Sequence, residues 1–209
     1  QSKKILIFNK CIYMLDKIVL DIETKNSFAD VGGKQNLHQL KISLIGVYSY
    51  NRNEFLTFEE KELRLFEKFI KEVGVVVGFS IYNFDLPIIE NHINYRFNNH
   101  IIFDILKEIE NKRGHKICLN ELAQANIGVG KNGNGLEAIE LYKQGHIEEL
   151  KKYCLNDVKI TRDLYELILK QDYLIIPSKF HAPVKVVFNW APSHQTLEEK
   201  LKELEKQRF

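Results

Sequence analysis

Asp21 and Glu23 stand two residues apart at the end of the run Lys17-Ile18-Val19-Leu20-Asp21-Ile22-Glu23-Thr24. An apolar stretch with one more apolar residue between the two acids predicts a strand buried on both faces. Strand side chains alternate, so both carboxylates should share the face of Val19. Like charges at that spacing repel, and a buried carboxylate without compensation is costly or takes up a proton. A cation between them answers both problems, and hard oxygen donors suit Mg2+ or Mn2+. The end of a sheet strand is also where clefts open in α/β folds. A strand running into a solvated acidic turn has the same look, so the pair needs support from elsewhere in the chain.

Two further stretches supply it. Gly78-Phe79-Ser80-Ile81-Tyr82-Asn83-Phe84-Asp85-Leu86-Pro87 follows the apolar run Val75-Val76-Val77 and leads into a helix expected over Leu86–Ile93. Pro87 is tolerated in a first helical turn. Asp85 therefore falls at a helix N-terminus, where a carboxylate is also a good cap. Tyr153 and Asp157 lie four apart in a helix expected over His146–Lys170, so they project from one face. Asp104 is a fifth acid, but its place between the strand Ile101–Phe103 and a helix makes it an N-cap rather than a ligand. The seven histidines show no paired ligand spacing. In the glycine-rich Asn126–Gly135, Lys131 precedes Asn132 rather than Ser or Thr, and no strand comes before it; a loop between helices is expected, not a phosphate cradle.

The elements that must position these residues follow in order. A short strand is expected at Ile5–Phe8, the central one at Ile18–Glu23, and a polar loop over Thr24–Gln39. Ile42–Tyr50, the turn Asn51-Arg52-Asn53 and Glu54–Phe58 form a hairpin signal. Glu59–Lys71 has helical spacing, with Gly74 closing it before Val75. From Leu119 to Lys170 the pattern is almost wholly helical; beyond Pro177 come a strand pattern, Val184–Phe188, and the capping signature Thr196-x-x-Glu199 of an amphipathic helix. Strands first and helices after predict an α/β fold: a mixed sheet flanked by helices, with a C-terminal strand and helix appendage. The organisation read from this is one domain over residues 1–175 and an extension over 176–209.

With 209 residues and 44% hydrophobic composition, the chain is long enough for one sizeable core and too short for two. Thirty basic and 28 acidic residues leave a net charge of +2, so any attraction for nucleic acid must be local. Lys112-Arg113, His115-Lys116 and Lys151-Lys152 are the clusters placed to meet phosphates, and solvated helix faces look the same. Three separated cysteines, Cys11, Cys118 and Cys154, indicate neither a disulfide framework nor a zinc site. No run has the length of a membrane span, and a soluble, cytoplasmic protein is expected.

The ordered set Asp-x-Glu, Asn-x-Asp and Tyr-x-x-x-Asp resembles the DEDD exonuclease superfamily of ribonuclease-H-like fold, over about Ile18 to Tyr165. Asp21 and Glu23 match the first motif, Asp85 the second, and Tyr153 with Asp157 the third. The sister branch places histidine five residues before the last aspartate, where this chain has Lys152, so the tyrosine branch (DEDDy) is the better match. The resemblance implies a 3′–5′ exonuclease holding two divalent cations, Mg2+ or Mn2+, about 3.5–4 Å apart. Asp21 would bridge both ions, Glu23 and Asp157 would hold one, Asp85 the other, and the Tyr153 hydroxyl would orient the attacking water. Thr24 and Asn83 would touch the terminal nucleotide, and Phe28 would stack on a base. Single-stranded DNA or RNA is the implied substrate, with a helicase or other replication or repair protein as the implied company. A second reading keeps the same fold as a catalytically weak module that binds nucleic acid or a partner within a larger assembly.

Overall fold

The computed structural model describes residues 15–130, 135–178 and 182–189. The expected strand at Ile5–Phe8, the helix opening at Thr196 and the middle of the glycine-rich loop lie outside them. Among the described residues, thirteen helices and strands follow in chain order: β1 (Asp16–Thr24), β2 (Ile42–Ser49), β3 (Glu54–Glu59), α1 (Leu63–Ile70), β4 (Val73–Gly78), α2 (Asp85–His92), β5 (Ile101–Asp104), α3 (Ile105–Arg113), α4 (Leu119–Ile127), α5 (Gly135–Lys143), α6 (Ile147–Gln171), β6 (Tyr173–Ile176) and β7 (Val184–Val187). Short 3-10 turns at Lys34–Gln39, Glu60–Glu62 and Phe97–Asn99 punctuate them.

The main sheet has the order β3-β2-β1-β4-β5. β1 is antiparallel to β2 and parallel to β4, so it sits where the two halves of a mixed sheet meet. Its apolar residues alternate between the two faces. Ile18, Leu20 and Ile22 pack with Phe66, Ile70 and Ile88 from α1 and α2, whereas Val19 packs with Val158 and Leu164 from α6. Asp21 and Glu23 therefore belong to the α6 face, as the alternation predicts.

α6 is the longest helix of the described chain, 25 residues or about 37 Å. Leu150, Cys154, Val158, Thr161, Leu164, Tyr165 and Ile168 recur at helical spacing along its buried side, which lies on β1, β2 and β4.

Two boundaries and one strand depart most from the sequence expectation. Glu59 ends β3 rather than opening a helix, and its carboxylate joins Glu62 in a capping box across the following turn. Gly74 lies inside β4, because Val73 already pairs with Asp16 of β1. β6 was not anticipated: it pairs antiparallel with β7, and Leu174, Ile176, Val186 and Phe188 join the same apolar cluster as Val19 and Val158. No described helix is long and apolar enough to cross a membrane.

Candidate metal-binding active site

The pairing of β1 creates the site. On one side, hydrogen bonding to β2 continues to Thr24; on the other, the parallel ladder to β4 stops at Val19 opposite Val77. Beyond that rung the chain leaves β4 at Gly78, and the N-terminus of α2 swings against the freed edge of β1. There the Ile22 amide, midway between the two acids, donates to Asp85 Oδ1 at 3.0 Å. A side-chain acceptor thus replaces the missing backbone partner.

The crevice so opened is a cleft of about 530 Å3, and Asp21, Glu23, Thr24, Phe28, Asp85 and Asp157 all line it. Three elements distant in sequence deliver the four acids: β1, the first residue of α2, and the buried side of α6. Glu23, Asp85 and Asp157 are buried and Asp21 half-buried. Burial pushes the Asp85 carboxyl up to about 7; the Ile22 amide opposes that shift and the charge of Asp104 adds to it. Carboxylates crowded together out of water are a donor set that a divalent cation suits.

Cys154, which sequence reasoning set aside, stands in the middle of this charge. Its Sγ lies 3.8 Å from Asp21 Oδ2, and ligand atoms of Asp21, Glu23 and Cys154 fall within 4.8 Å of one another. Burial first, and then the carboxylates of Asp21, Glu23, Asp157 and Asp85, push the thiol well above its usual range. A protonated thiol is no nucleophile. The signal for Cys154 was its place three residues before Asp157, on the same helical face.

Gly46 was also missed. It is the register partner of Asp21 on β2, and a Cβ there would lie 2.6 Å from Cys154 Sγ and 3.1 Å from Val158 Cγ2. The absent side chain lets α6 sit close enough for Asp157 to share the cleft with Asp21.

Two residues expected at the site do not line the cleft. Asn83 is exposed on a turn, where its backbone N–H donates to Ser80 O at 3.2 Å. Tyr153 packs beside Leu44, Leu150 and Cys154, with its hydroxyl shielded from solvent. Thr24 turns its hydroxyl to Asn26 O at 2.9 Å, and Phe28 meets Phe84 edge-on with ring centres 5.7 Å apart. Of the basic clusters, Lys151 pairs with Glu59 at 3.2 Å and Glu148 at 3.0 Å, and Lys116 with Glu110 at 3.6 Å.

A family model described as the RNase H superfamily matches residues 18–169, from within β1 to the last turn of α6. The chain belongs to the RNase H superfamily. Its mixed five-stranded sheet with flanking helices is the fold of that superfamily. Among solved structures it resembles the family B DNA polymerase from the hyperthermophilic archaeon Pyrobaculum calidifontis, with a TM-score of 0.58 and 19% identity over 74% of this chain. The similarity spans 24% of the polymerase, so the RNase H superfamily chain corresponds to about a quarter of that protein. No curated protein matches the chain.

Proposed function

We propose that this member of the RNase H superfamily is a metal-dependent 3′–5′ exonuclease acting on single-stranded or frayed nucleic acid. The observation that carries the reading is the convergence of Asp21, Glu23, Asp85 and Asp157 on one cleft. The donor set fits hard divalent cations, Mg2+ or Mn2+, two of them in the reading offered here. Such ions, when bound, activate water and neutralise charge on the leaving oxygen of a phosphodiester. In this reading Asp21, Glu23, Asp85 and Asp157 would hold the ions, with Asp21 shared, Glu23 and Asp157 serving one and Asp85 the other.

Tyr153 is the group proposed to orient the attacking water; with a phenol pKa near 10 it aligns rather than deprotonates. The backbone around Thr24 and the side chain of Asn83 are proposed to seat the 3′-terminal nucleotide, with Phe28 stacking on its base. Phosphate contacts without base-edge readout should give weak sequence preference and inhibition by salt.

The test is a 5′-labelled strand with a 3′-hydroxyl or a 3′-phosphate, incubated with the protein and Mn2+. A ladder shortening from the 3′ end is expected, strongly reduced by the terminal phosphate and abolished in Asp21→Asn and Asp157→Ala. Tyr153→Phe should slow it by roughly 10- to 1000-fold. Equal cutting of a circular strand would show an endonuclease instead. No cutting of either DNA or RNA would remove the reading altogether.

A further inference from the structure

Asp104 is a buried carboxylate outside the proposed metal set, and its two oxygens accept three backbone amides. Lys107 N at 3.2 Å is the helix-capping bond that the sequence leads one to expect. The other two come from much earlier in the chain: Ser80 N donates to Oδ1 at 2.8 Å and Tyr82 N to Oδ2 at 3.1 Å. Both belong to the segment that joins β4 to Asp85.

That segment has an unusual path. Ser80 takes a positive φ of 68°, a conformation that favours glycine. Ile81, between the two tethered amides, is fully buried, turned back over Gly78 so tightly that a Cβ at 78 would lie 2.2 Å from Ile81 Cγ2. Gly78 and Asp104 are partners in the last rung between β4 and β5, so the carboxylate stands beside the point where the chain departs. Downstream, Leu86 N binds Ile81 O at 3.0 Å, and Asp85 then reaches Ile22 N. From Asp104 to the cleft, the connection is thus a continuous series of hydrogen bonds.

We infer that Asp104 is a positioning residue of the site: it holds the left-handed turn at Ser80 and thereby fixes where Asp85 presents its carboxylate to the cleft. The inference rests on the proposed nuclease reading. It gives Asp104 no contact with cation or substrate; its effect passes through the Ser80–Tyr82 backbone. Because glycine adopts the left-handed turn without the Cβ penalty, a chain with glycine at 80 should depend less on Asp104 than one with serine.

The experiment compares the full chain with Asp104→Ala, Ser80→Gly and the double variant, reading Mn2+ binding by calorimetry and shortening of a labelled strand. Melting curves verify that each is folded. Asp104→Ala should lower the cleavage rate and weaken Mn2+ binding by roughly 10- to 100-fold, as for other groups that orient a metal ligand. Ser80→Gly should raise both values more in the Asp104→Ala chain than in the wild type, a coupling that a general loss of stability does not produce. Should Asp104→Ala fail to fold, Asp104→Asn, which keeps one acceptor oxygen and loses the other, takes its place in the same comparison. If the wild type neither binds Mn2+ nor shortens the strand, the nuclease reading fails. If it does both and the folded Asp104 variant equals it, or if glycine at 80 brings no recovery, the positioning role alone is overturned.

Discussion

Asp85 is held by opposing effects: the protein removes its water, yet gives it the Ile22 amide as a donor. The result is a carboxyl poised near 7, well above an unfolded aspartate at about 3.9. Between those values the native chain keeps a proton that the unfolded chain has released. The stability of the metal-free protein should therefore fall as pH rises from about 4 to about 7, by an amount on the order of a few kcal/mol, and level off above that. Urea unfolding in EDTA at pH 5 and pH 8 checks this, with Asp85→Asn as the comparison. If the variant loses as much stability with rising pH as the parent does, Asp85 is not the group responsible. At this scale the sequence was most informative about the acids, because each sits in a local pattern: a strand end, a helix start, a helical i, i+4 pair. It was least informative about Gly46 and Cys154. Their importance depends on which residue faces which across the sheet, and register is a property of two segments rather than one.

The contact between α6 and the sheet sets the depth of the cleft, and Gly46 sets the contact. Gly46→Ala would drive a Cβ into Cys154 Sγ and crowd Val158, so α6 must lift or the side chains must turn. A cost of roughly 1–3 kcal/mol is expected from such overpacking, together with slower cleavage as Asp157 is drawn away from Asp21. Cys154→Ala in the same chain removes the sulfur and should restore most of the lost stability. Urea midpoints of the parent and these two variants decide it; a Gly46→Ala protein as stable as its parent would mean that α6 has slack. Most elements were legible from periodicity, including the β2–β3 hairpin and α6 to within a residue at each end. β6 was not. α6 stops at Asp172, a non-glycine residue with φ 63°, so the glycine that usually announces a helix end is absent and Tyr173-Leu174-Ile175-Ile176 reads as more of the same apolar pattern. The extra turn before α1 escaped for a related reason, since Glu59 and Glu62 suit a strand end and a capped turn equally well.

At the scale of the molecule, strands first and helices after conveyed the fold class, and the sheet supplied what that succession cannot: the order β3-β2-β1-β4-β5, with the acidic strand at its centre. The hairpin β6–β7 covers one end of the α6-side core, where Phe188 and Val186 are buried although they follow the last motif residue by some thirty positions. The sequence shows the strand pattern at Val184–Phe188 but nothing that returns it onto the α6-side core. The most distant of these associations has a kinetic consequence. Cys154 meets Asp21 across 133 positions of chain, and Asp157 arrives on the same helix, whereas β1, β2 and β3 join through neighbouring segments. Contacts that close long loops form late, so the strands should assemble while Asp21 and Glu23 are still hydrated, and the four charges meet only when α6 docks. Repulsion confined to the last step leaves the folding rate alone and hastens unfolding. Mn2+ should then slow unfolding in urea while leaving refolding nearly unchanged, which stopped-flow measurements with and without the ion would read directly; equal effects on both limbs would place α6 in the nucleus. On the proposed metal reading, the lifetime of the folded state, and not the speed of reaching it, is what a divalent cation would control.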